Sequence, residues 1–265
     1  MLDTHIHSKH SHDGTPELSQ IVAQAKSLGL TYIATTEHLD LDYLFGDIIP
    51  RKQLDIDAYL VDHRATRCDS ALTLAFGIET GYSPESVELN KSILPKYPFD
   101  VIINSVHSLN NVDLYYLLPR INIENKNEIY LSYLEAVLGS TNPGYDYDVI
   151  AHLGYVARYV NYANKELYYN DTADIIDAIL KNIIALDKTL EINTNVKTLP
   201  WVTLPEPAII KRYAELGGTN ISFASDAHTI DRICFNYDSA KEIVLSFGFK
   251  YWTSYVQRAQ IKTKI

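Results

Sequence analysis

Seven short apolar segments recur along this chain, and longer segments with helical periodicity separate them. The strand-like segments are Met1–His7, Tyr32–His38, Leu72–Thr80, Asp100–Ser108, Val149–Leu153, Thr189–Thr194 and Asn220–His228. The first helical pattern begins at Leu18, after a hydroxyl cap at Thr15, and ends at Gly29. Further helical patterns fit Asp57–Cys68, Val87–Leu94, Asn125–Leu138, Thr172–Ala185, Glu206–Leu216 and Ser239–Ser246. Strands that alternate with helices are typical of a parallel sheet with crossover connections. The pattern therefore predicts an α/β fold of the barrel type.

Composition limits the class of protein further. With 265 residues, of which 46% are hydrophobic, the chain can bury a large core, and we expect a single domain over residues 1–265. No segment reaches the roughly 18 apolar residues of a membrane span, and the amino terminus lacks a secretion signal, so we expect a cytoplasmic protein without a membrane partner. The formal charge of −10, without a Lys/Arg run, argues against a nucleic-acid partner.

Polar side chains with metal-ligand chemistry lie at the carboxyl end of every predicted strand. In chain order they are His5 and His7, Glu37 and His38, Glu79, His107, His152, Glu191 and Asn193, and Asp226 and His228. Parallel α/β barrels carry their active sites at the carboxyl ends of the strands. Side chains two residues apart on a strand share a face, so His5 should lie beside His7, and Asp226 beside His228. Burial of so many ionisable groups without a compensating charge would cost folding free energy. Divalent cations would remove that cost, because they stabilise the carboxylates and bind the imidazole lone pairs.

Other residues have ordinary structural interpretations. His10 and His12 lie in a polar loop and His63 in a helical pattern, so we assign them no ligand role. Glu191 and Asn193 are equally compatible with a structural role and with a site role. The two cysteines, Cys68 and Cys234, are too isolated for a thiolate metal site, so nitrogen and oxygen ligands are expected.

Together these motifs resemble the PHP family of metal-dependent phosphoesterases. The matching segments are His5–Gly14, Thr36–His38, Gly77–Glu79, Ser105–His107, Ala151–Gly154 and Ser225–His228. The resemblance spans nearly the whole chain and implies a distorted (β/α)7 TIM-like barrel with a trinuclear metal site. It also implies two to three divalent ions, for which zinc, manganese and iron all suit the ligands.

The resemblance also implies how the ligands are shared. His5, His7, Glu79 and Asp226 would hold one ion. Glu79 would bridge to a second ion that is also held by His107 and His152. Asp13, His38 and His228 would hold the third ion, and this site varies most within the family.

Within the family, the chain looks most like the stand-alone histidinol-phosphate phosphatases of histidine biosynthesis. The implied reaction is hydrolysis of L-histidinol phosphate, with attack on phosphorus by a hydroxide that bridges two ions. Arg158 would bind the phosphoryl oxygens and support catalysis. The candidate acid for the leaving group is His228 or a water bound to the third ion. Candidate contacts to that group are Glu37, Asp42, Asp47 and Glu191.

Three alternatives remain open from the sequence. The first is a PHP phosphoesterase that acts on nucleotides or short oligonucleotides, although few basic residues accompany the tyrosines of the region 145–162. The second is a C–N hydrolase of the amidohydrolase type, but no predicted strand end carries a lysine. The third is a metal-stabilised domain without turnover, which a closed structural site would favour. The sequence leaves a homo-oligomeric state open.

Overall fold

The structure is a computed structural model. It describes residues 1–41, 53–66, 70–110, 112–118, 126–167, 169–196 and 199–265. Asp42, Asp47 and Cys68 lie outside these described residues. The predicted contacts of Asp42 and Asp47 to a leaving group therefore stay predictions.

Seven parallel strands form the central sheet, with the order β1-β2-β3-β4-β7-β8-β9 when strands are numbered along the chain. The strands are β1 (Leu2–Ile6), β2 (Tyr32–Leu39), β3 (Thr73–Gly81), β4 (Val101–Ser105), β5 (Ser108–Leu109), β6 (Val112–Asp113), β7 (Val149–Ile150), β8 (Thr189–Asn193), β9 (Ile221–Ala224), β10 (Tyr251–Val256) and β11 (Ala259–Lys264). Two antiparallel hairpins, β5–β6 and β10–β11, stand apart from this sheet. The predicted parallel α/β architecture is confirmed.

Helices cover the outside of the sheet. They are α1 (Leu18–Ser27), α2 (Ile56–Ala65), α3 (Val87–Ile93), α4 (Leu114–Leu117), α5 (Lys126–Ser140), α6 (Tyr169–Ala185), α7 (Pro207–Glu215) and α8 (Tyr237–Ser246). In α1 the buried side chains are Leu18, Ile21, Val22 and Ala25, the spacing that puts one apolar stripe against a sheet. None of the described helices combines the length and the apolar character needed to cross a membrane.

The sheet curls into a nearly closed barrel because its first and last strands meet. A bridge pairs Ile6 with Ala227, and the backbone N–H of His7 donates to the Ala227 carbonyl at 2.8 Å. The backbone N–H of Asp226 donates to the His5 carbonyl at 2.9 Å. This contact brings the chain after β9 beside the end of β1.

One expectation about strand geometry is wrong. The last barrel strand ends at Ala224, and Asp226 has a left-handed φ of 50°. Asp226 and His228 therefore do not share a strand face by alternation. A left-handed conformation is more accessible to Asp than to most residues, and here the turn directs the chain back toward β1.

The carboxyl-terminal hairpin, β10–β11, closes the amino end of the barrel. The Tyr255 hydroxyl donates to the Asp148 carbonyl just before β7, and the Tyr32 hydroxyl at the start of β2 donates to the Tyr255 carbonyl. Arg258 Nε donates to the Asp148 carboxylate at 2.6 Å. Trp252 is fully buried beneath the same hairpin. The opposite end of the barrel, where the strands finish, carries the polar side chains that the sequence predicts as metal ligands.

Candidate metal centre

The nine predicted ligands converge at the carboxyl end of the barrel. The loop after β1 brings one of them, Asp13, back over the barrel mouth. This loop is tight at Gly14, where an added Cβ would lie 2.1 Å from the Ser8 carbonyl oxygen. Glycine is therefore required at this close backbone approach.

A first cluster joins β1 to the end of β3 and to the turn after β9. The Nε2 atoms of His5 and His7 lie 3.0 Å apart. Glu79 Oε2 lies 3.3 Å from His5 Nε2 and 3.5 Å from His7 Nε2. Asp226 Oδ1 lies 3.4 Å from His7 Nε2. These four side chains are the set expected to hold one ion.

A second cluster forms on the other oxygen of the same glutamate. Glu79 Oε1 lies 2.9 Å from His152 Nε2 and 3.1 Å from His107 Nε2. The two imidazole Nε2 atoms are 3.2 Å apart. Glu79 thus presents one carboxylate oxygen to each cluster, which is the arrangement that a bridging ligand needs.

The third predicted group lies nearer the cavity. Asp13 Oδ1 is 3.6 Å from His38 Nε2, and Asp13 Oδ2 is 3.3 Å from His228 Nε2. His38 also places its Nδ1 atom 2.8 Å from Glu79 Oε2. Three sets of donor atoms each lie mutually within 4.8 Å, namely His5-His7-Glu79, His38-Glu79-His107 and His7-His38-His228. Because His7 and His38 each occur in two of these sets, the partition of ligands among ions stays a prediction.

Three of the four histidines in the first two clusters are oriented by hydrogen bonds at their Nδ1 atoms, whereas His152 Nδ1 has no hydrogen-bond partner among the described residues. His5 Nδ1 lies 2.6 Å from Glu191 Oε1, and His107 Nδ1 lies 2.9 Å from Asp40 Oδ1. His7 Nδ1 is 3.0 Å from the Ser11 hydroxyl. A carboxylate behind a histidine fixes the proton on Nδ1 and leaves the Nε2 lone pair for a metal.

Two further observations fit divalent ions. The Nε2 atoms of His5 and His7 point at each other, as do those of His107 and His152. A hydrogen bond within either pair would require one of the two Nε2 atoms to carry a proton. Glu79 Oε2 and His38 Nδ1 have no hydrogen-bond partner with acceptable geometry among the described residues, despite their close approach. Atoms that crowd a common point without pairing are what a shared cation would satisfy. The donor set of imidazole nitrogens and carboxylate oxygens suits zinc, manganese or iron.

The charges in this cluster depend strongly on one another. Burial opposes a charge on His5, but Glu79, Glu191 and Asp226 outweigh it and raise the pKa of His5 well above its usual value. Burial raises the pKa of Glu79, yet His107, His5 and His38 together hold it well below its usual value. Glu79 is therefore an anion at the centre of the site.

Two predicted substrate contacts have other roles in the structure. Glu37 is fully buried, and its carboxylate accepts hydrogen bonds from the backbone and hydroxyl groups of Ser8 and Ser11. Glu191 is also fully buried and contacts His5, the backbone N–H of His152 and the Asn193 amide. With their oxygens committed and away from the cavity, neither residue is placed to contact a leaving group. Glu37 shapes the loop after β1, and Glu191 orients a predicted ligand.

Arg158 lies at the cavity, as expected, but its guanidinium already binds protein groups. It donates to Asp226 Oδ2 at 3.1 Å and to Asn193 Oδ1 at 2.6 Å. The guanidinium also lies 5.2 Å from the centre of the Tyr155 ring. Its contact with a phosphoryl group stays a prediction, and its hydrogen bond to a predicted metal ligand is an additional role.

A cavity of about 460 Å³ opens beside the cluster. Its lining includes several residues that the sequence did not single out, namely His12, Asp113, Tyr115, Tyr116, Asn195, Thr229 and Arg232. His12 was assigned no site role, yet its ring centre lies 5.2 Å from that of His38. Asp40, whose carboxylate lies behind His107, was also missed, and its position two residues after His38 was the available signal.

Comparison with known proteins agrees with this geometry. Residues 3–195 match the family model described as PHP domain. This chain belongs to the PHP domain family. The PHP match contains seven of the nine predicted ligands, and Asp226 and His228 follow it.

Two relatives match nearly the whole chain. A Clostridium acetobutylicum protein named probable histidinol-phosphatase is 34% identical over 94% of this chain and 95% of its own length. The histidinol-phosphatase of Lactococcus lactis subsp. lactis is 27% identical over 94% of this chain and 91% of its own length.

A solved structure shows the same fold. The histidinol phosphate phosphatase of Lactococcus lactis subsp. lactis, crystallised with zinc, L-histidinol and phosphate, superimposes with a TM-score of 0.87. The two chains are 25% identical, and the match covers 98% of each. The similarity therefore extends over nearly the whole chain, from the barrel to the carboxyl-terminal hairpin.

Proposed function

We propose that this protein is a metal-dependent phosphatase that hydrolyses L-histidinol phosphate to L-histidinol and phosphate, a reaction of histidine biosynthesis. The observation that carries the proposal is the placement of Glu79 between two histidine clusters at the edge of a cavity. The Clostridium and Lactococcus relatives support the choice of substrate.

The nine predicted ligands would hold two to three divalent ions. Such ions lower the pKa of bound water to near neutrality and neutralise charge on phosphoryl oxygens. The chain's own contribution is to keep two of these imidazoles in the correct tautomer, through Glu191 behind His5 and Asp40 behind His107. Arg158 holds Asp226 in position from the side of the cavity.

His228 cannot serve as metal ligand and proton donor at once. Its Nδ1 atom donates to the Asp226 carbonyl at 2.9 Å, which leaves Nε2 as the atom that faces Asp13. A proton on Nε2 excludes coordination through the same atom. We therefore assign His228 to the third ion, and its role as an acid applies only when that ion is absent.

An aromatic wall on the cavity suits the leaving group. The rings of Tyr155 and Tyr159 lie 5.0 Å apart, and the ring of Tyr115 lies 5.3 Å from that of Tyr159. Asp113 lines the same cavity and is buried. An imidazole can stack on such rings, and a carboxylate can bind an amine.

The deciding experiment measures phosphate release by metal-reconstituted protein from a panel of esters. The panel contains L-histidinol phosphate, nucleoside monophosphates, sugar phosphates and a short oligonucleotide. We expect the highest kcat/KM for L-histidinol phosphate. A higher kcat/KM for a nucleotide or oligonucleotide would replace this proposal with the corresponding phosphoesterase.

Metal content is measured on the same samples by elemental analysis. We expect two to three divalent ions per chain and loss of activity on chelation. Full activity in protein that has been exhaustively chelated and contains almost no metal would remove the basis of the proposal.

A further inference from the structure

Arg232 is a cavity residue that the proposed mechanism has not used. It ends a short 3-10 helix, Ile230–Arg232, that begins two residues after His228. Its side chain is half-buried and lines the cavity together with Asp13, His228 and Thr229. It therefore shares the cavity with the third predicted metal group and lies four residues after one member of that group, His228.

The guanidinium of Arg232 is fixed by stacking and not by an ion pair. Its central carbon lies 3.3 Å from the centre of the Phe235 ring. Within the described ranges, the Arg232 side chain makes no hydrogen bond and no ion pair within 4.0 Å, although its chain neighbour Asp231 attracts its charge. Stacking uses the face of the guanidinium and leaves the N–H groups at its edge available to an acceptor.

Arg158 shows how an arginine on this cavity behaves when protein acceptors are within reach. Its two terminal nitrogens donate to Asp226 and Asn193. Arg232 lines a cavity that also contains the carboxylates of Asp13, Glu79, Asp113 and Asp226, yet it pairs with none of them. A half-buried guanidinium whose donors lack protein acceptors is suited to an anionic ligand.

We propose that Arg232 binds the phosphoryl oxygens of the substrate from the platform of Phe235. This inference rests on the proposed function, because it takes a phosphate monoester as the ligand of the cavity. Arg232 would offer two parallel N–H groups to two phosphoryl oxygens, a geometry that a lysine ammonium cannot reproduce.

The test compares Arg232→Gln, Arg232→Lys and Phe235→Leu with wild type, all loaded with metal. Inorganic phosphate and L-histidinol are titrated separately into each protein by calorimetry, and steady-state kinetics use L-histidinol phosphate. Arg64→Gln is the matched control, because it removes one exposed arginine charge from α2, away from the cavity.

For Arg232→Gln we expect about 10-fold weaker binding of inorganic phosphate and a similar rise in KM, because one charge-assisted pair is lost at a partly exposed position. Binding of L-histidinol should change by less than about twofold, since on this proposal Arg232 contacts the phosphoryl group and not the leaving group. Arg232→Lys should recover part of the loss, and Phe235→Leu should show a smaller loss than Arg232→Gln. Arg64→Gln should behave as wild type.

Unchanged phosphate binding in a folded, metal-loaded Arg232→Gln protein would overturn the inference. Weaker binding of L-histidinol with phosphate binding intact would also overturn it, because Arg232 would then face the leaving group. Phosphate calorimetry does not depend on which ester is hydrolysed. Failure of the proposed substrate in the ester panel is therefore distinguishable from failure of Arg232 as a phosphate ligand.

Discussion

Replacement of Glu191 by glutamine tests whether the site depends on the orientation of its histidines. Glu191 has both carboxylate oxygens engaged in a fully buried position. Oε1 lies 2.6 Å from His5 Nδ1, and Oε2 accepts from the His152 backbone N–H at 2.8 Å and from the Asn193 amide at 3.0 Å. Glutamine keeps the size of the side chain but replaces one acceptor oxygen with an NH2 donor.

Neither orientation of the new amide satisfies all of these partners. If its oxygen faces His152 and Asn193, its NH2 group faces His5 Nδ1, and the proton of His5 must move to Nε2, where it blocks coordination. If the amide turns over, its NH2 group meets two donors. A buried donor left without an acceptor costs about 1–3 kcal/mol. We therefore expect Glu191→Gln to weaken metal binding about 10- to 100-fold, the range typical of residues that orient metal ligands.

The assay is a competition with a chromophoric chelator, followed by kinetics at saturating metal. Asp62→Asn is the matched control, because Asp62 Oδ2 lies 2.9 Å from His10 Nε2 in a carboxylate–histidine pair outside the predicted site. The control should bind metal as wild type does. If folded Glu191→Gln bound metal within about twofold of wild type, control of the His5 tautomer by Glu191 would be refuted.

Three further predictions probe the site and the fold. Asp40→Asn should weaken metal binding about 10-fold in the same chelator assay, because Asp40 orients His107. Glu79→Ala should leave less residual activity than Asp13→Ala, since Glu79 contacts both histidine clusters; equal losses with all metals retained would contradict this. Burial, aided by Glu166, raises the pKa of Glu206 to about 7 from 4.5. The folded protein then binds this proton more tightly than the unfolded chain and loses stability as the pH rises through that window. Denaturant unfolding should therefore show Glu206→Gln more stable than wild type by about 1 kcal/mol at pH 8 and not at pH 4.

The order and type of the barrel strands could be predicted because each strand is a continuous apolar run between turn signals. Strand ends were predicted less well. The segment Val149–Leu153 was predicted as a strand, but only Val149–Ile150 pairs in the sheet, and His152 has a positive φ of 24°. The sheet is distorted where ligands must be aimed, and periodicity carries no information about that distortion.

The convergence of the predicted metal ligands could be predicted because a parallel barrel brings all of its strand ends to one rim. The groups that orient them could not be predicted in the same way. Glu191 contacts His5, which lies 186 positions away in the sequence. The carboxylate of Glu37 accepts its hydrogen bonds from the loop that follows β1. A carboxylate at a strand end can therefore either line the cavity or accept a hydrogen bond from a predicted metal ligand. Only the positions of its partners distinguish them.

The hydrogen bonds behind the histidines also rank the predicted ions. His5 in the first cluster and His107 in the second each have a carboxylate hydrogen-bonded to Nδ1. The other histidine of each cluster lacks one, since His7 Nδ1 has a serine hydroxyl and His152 Nδ1 has no partner among the described residues. In the third group, His228 has only a backbone carbonyl at Nδ1, and His38 has no Nδ1 hydrogen bond within the described part of the chain. A carboxylate partner raises the basicity of the ligating imidazole, whereas a carbonyl does so less. The third ion should therefore be the most weakly held. Loss of its predicted ligand Asp13 should then reduce activity less than loss of Glu79.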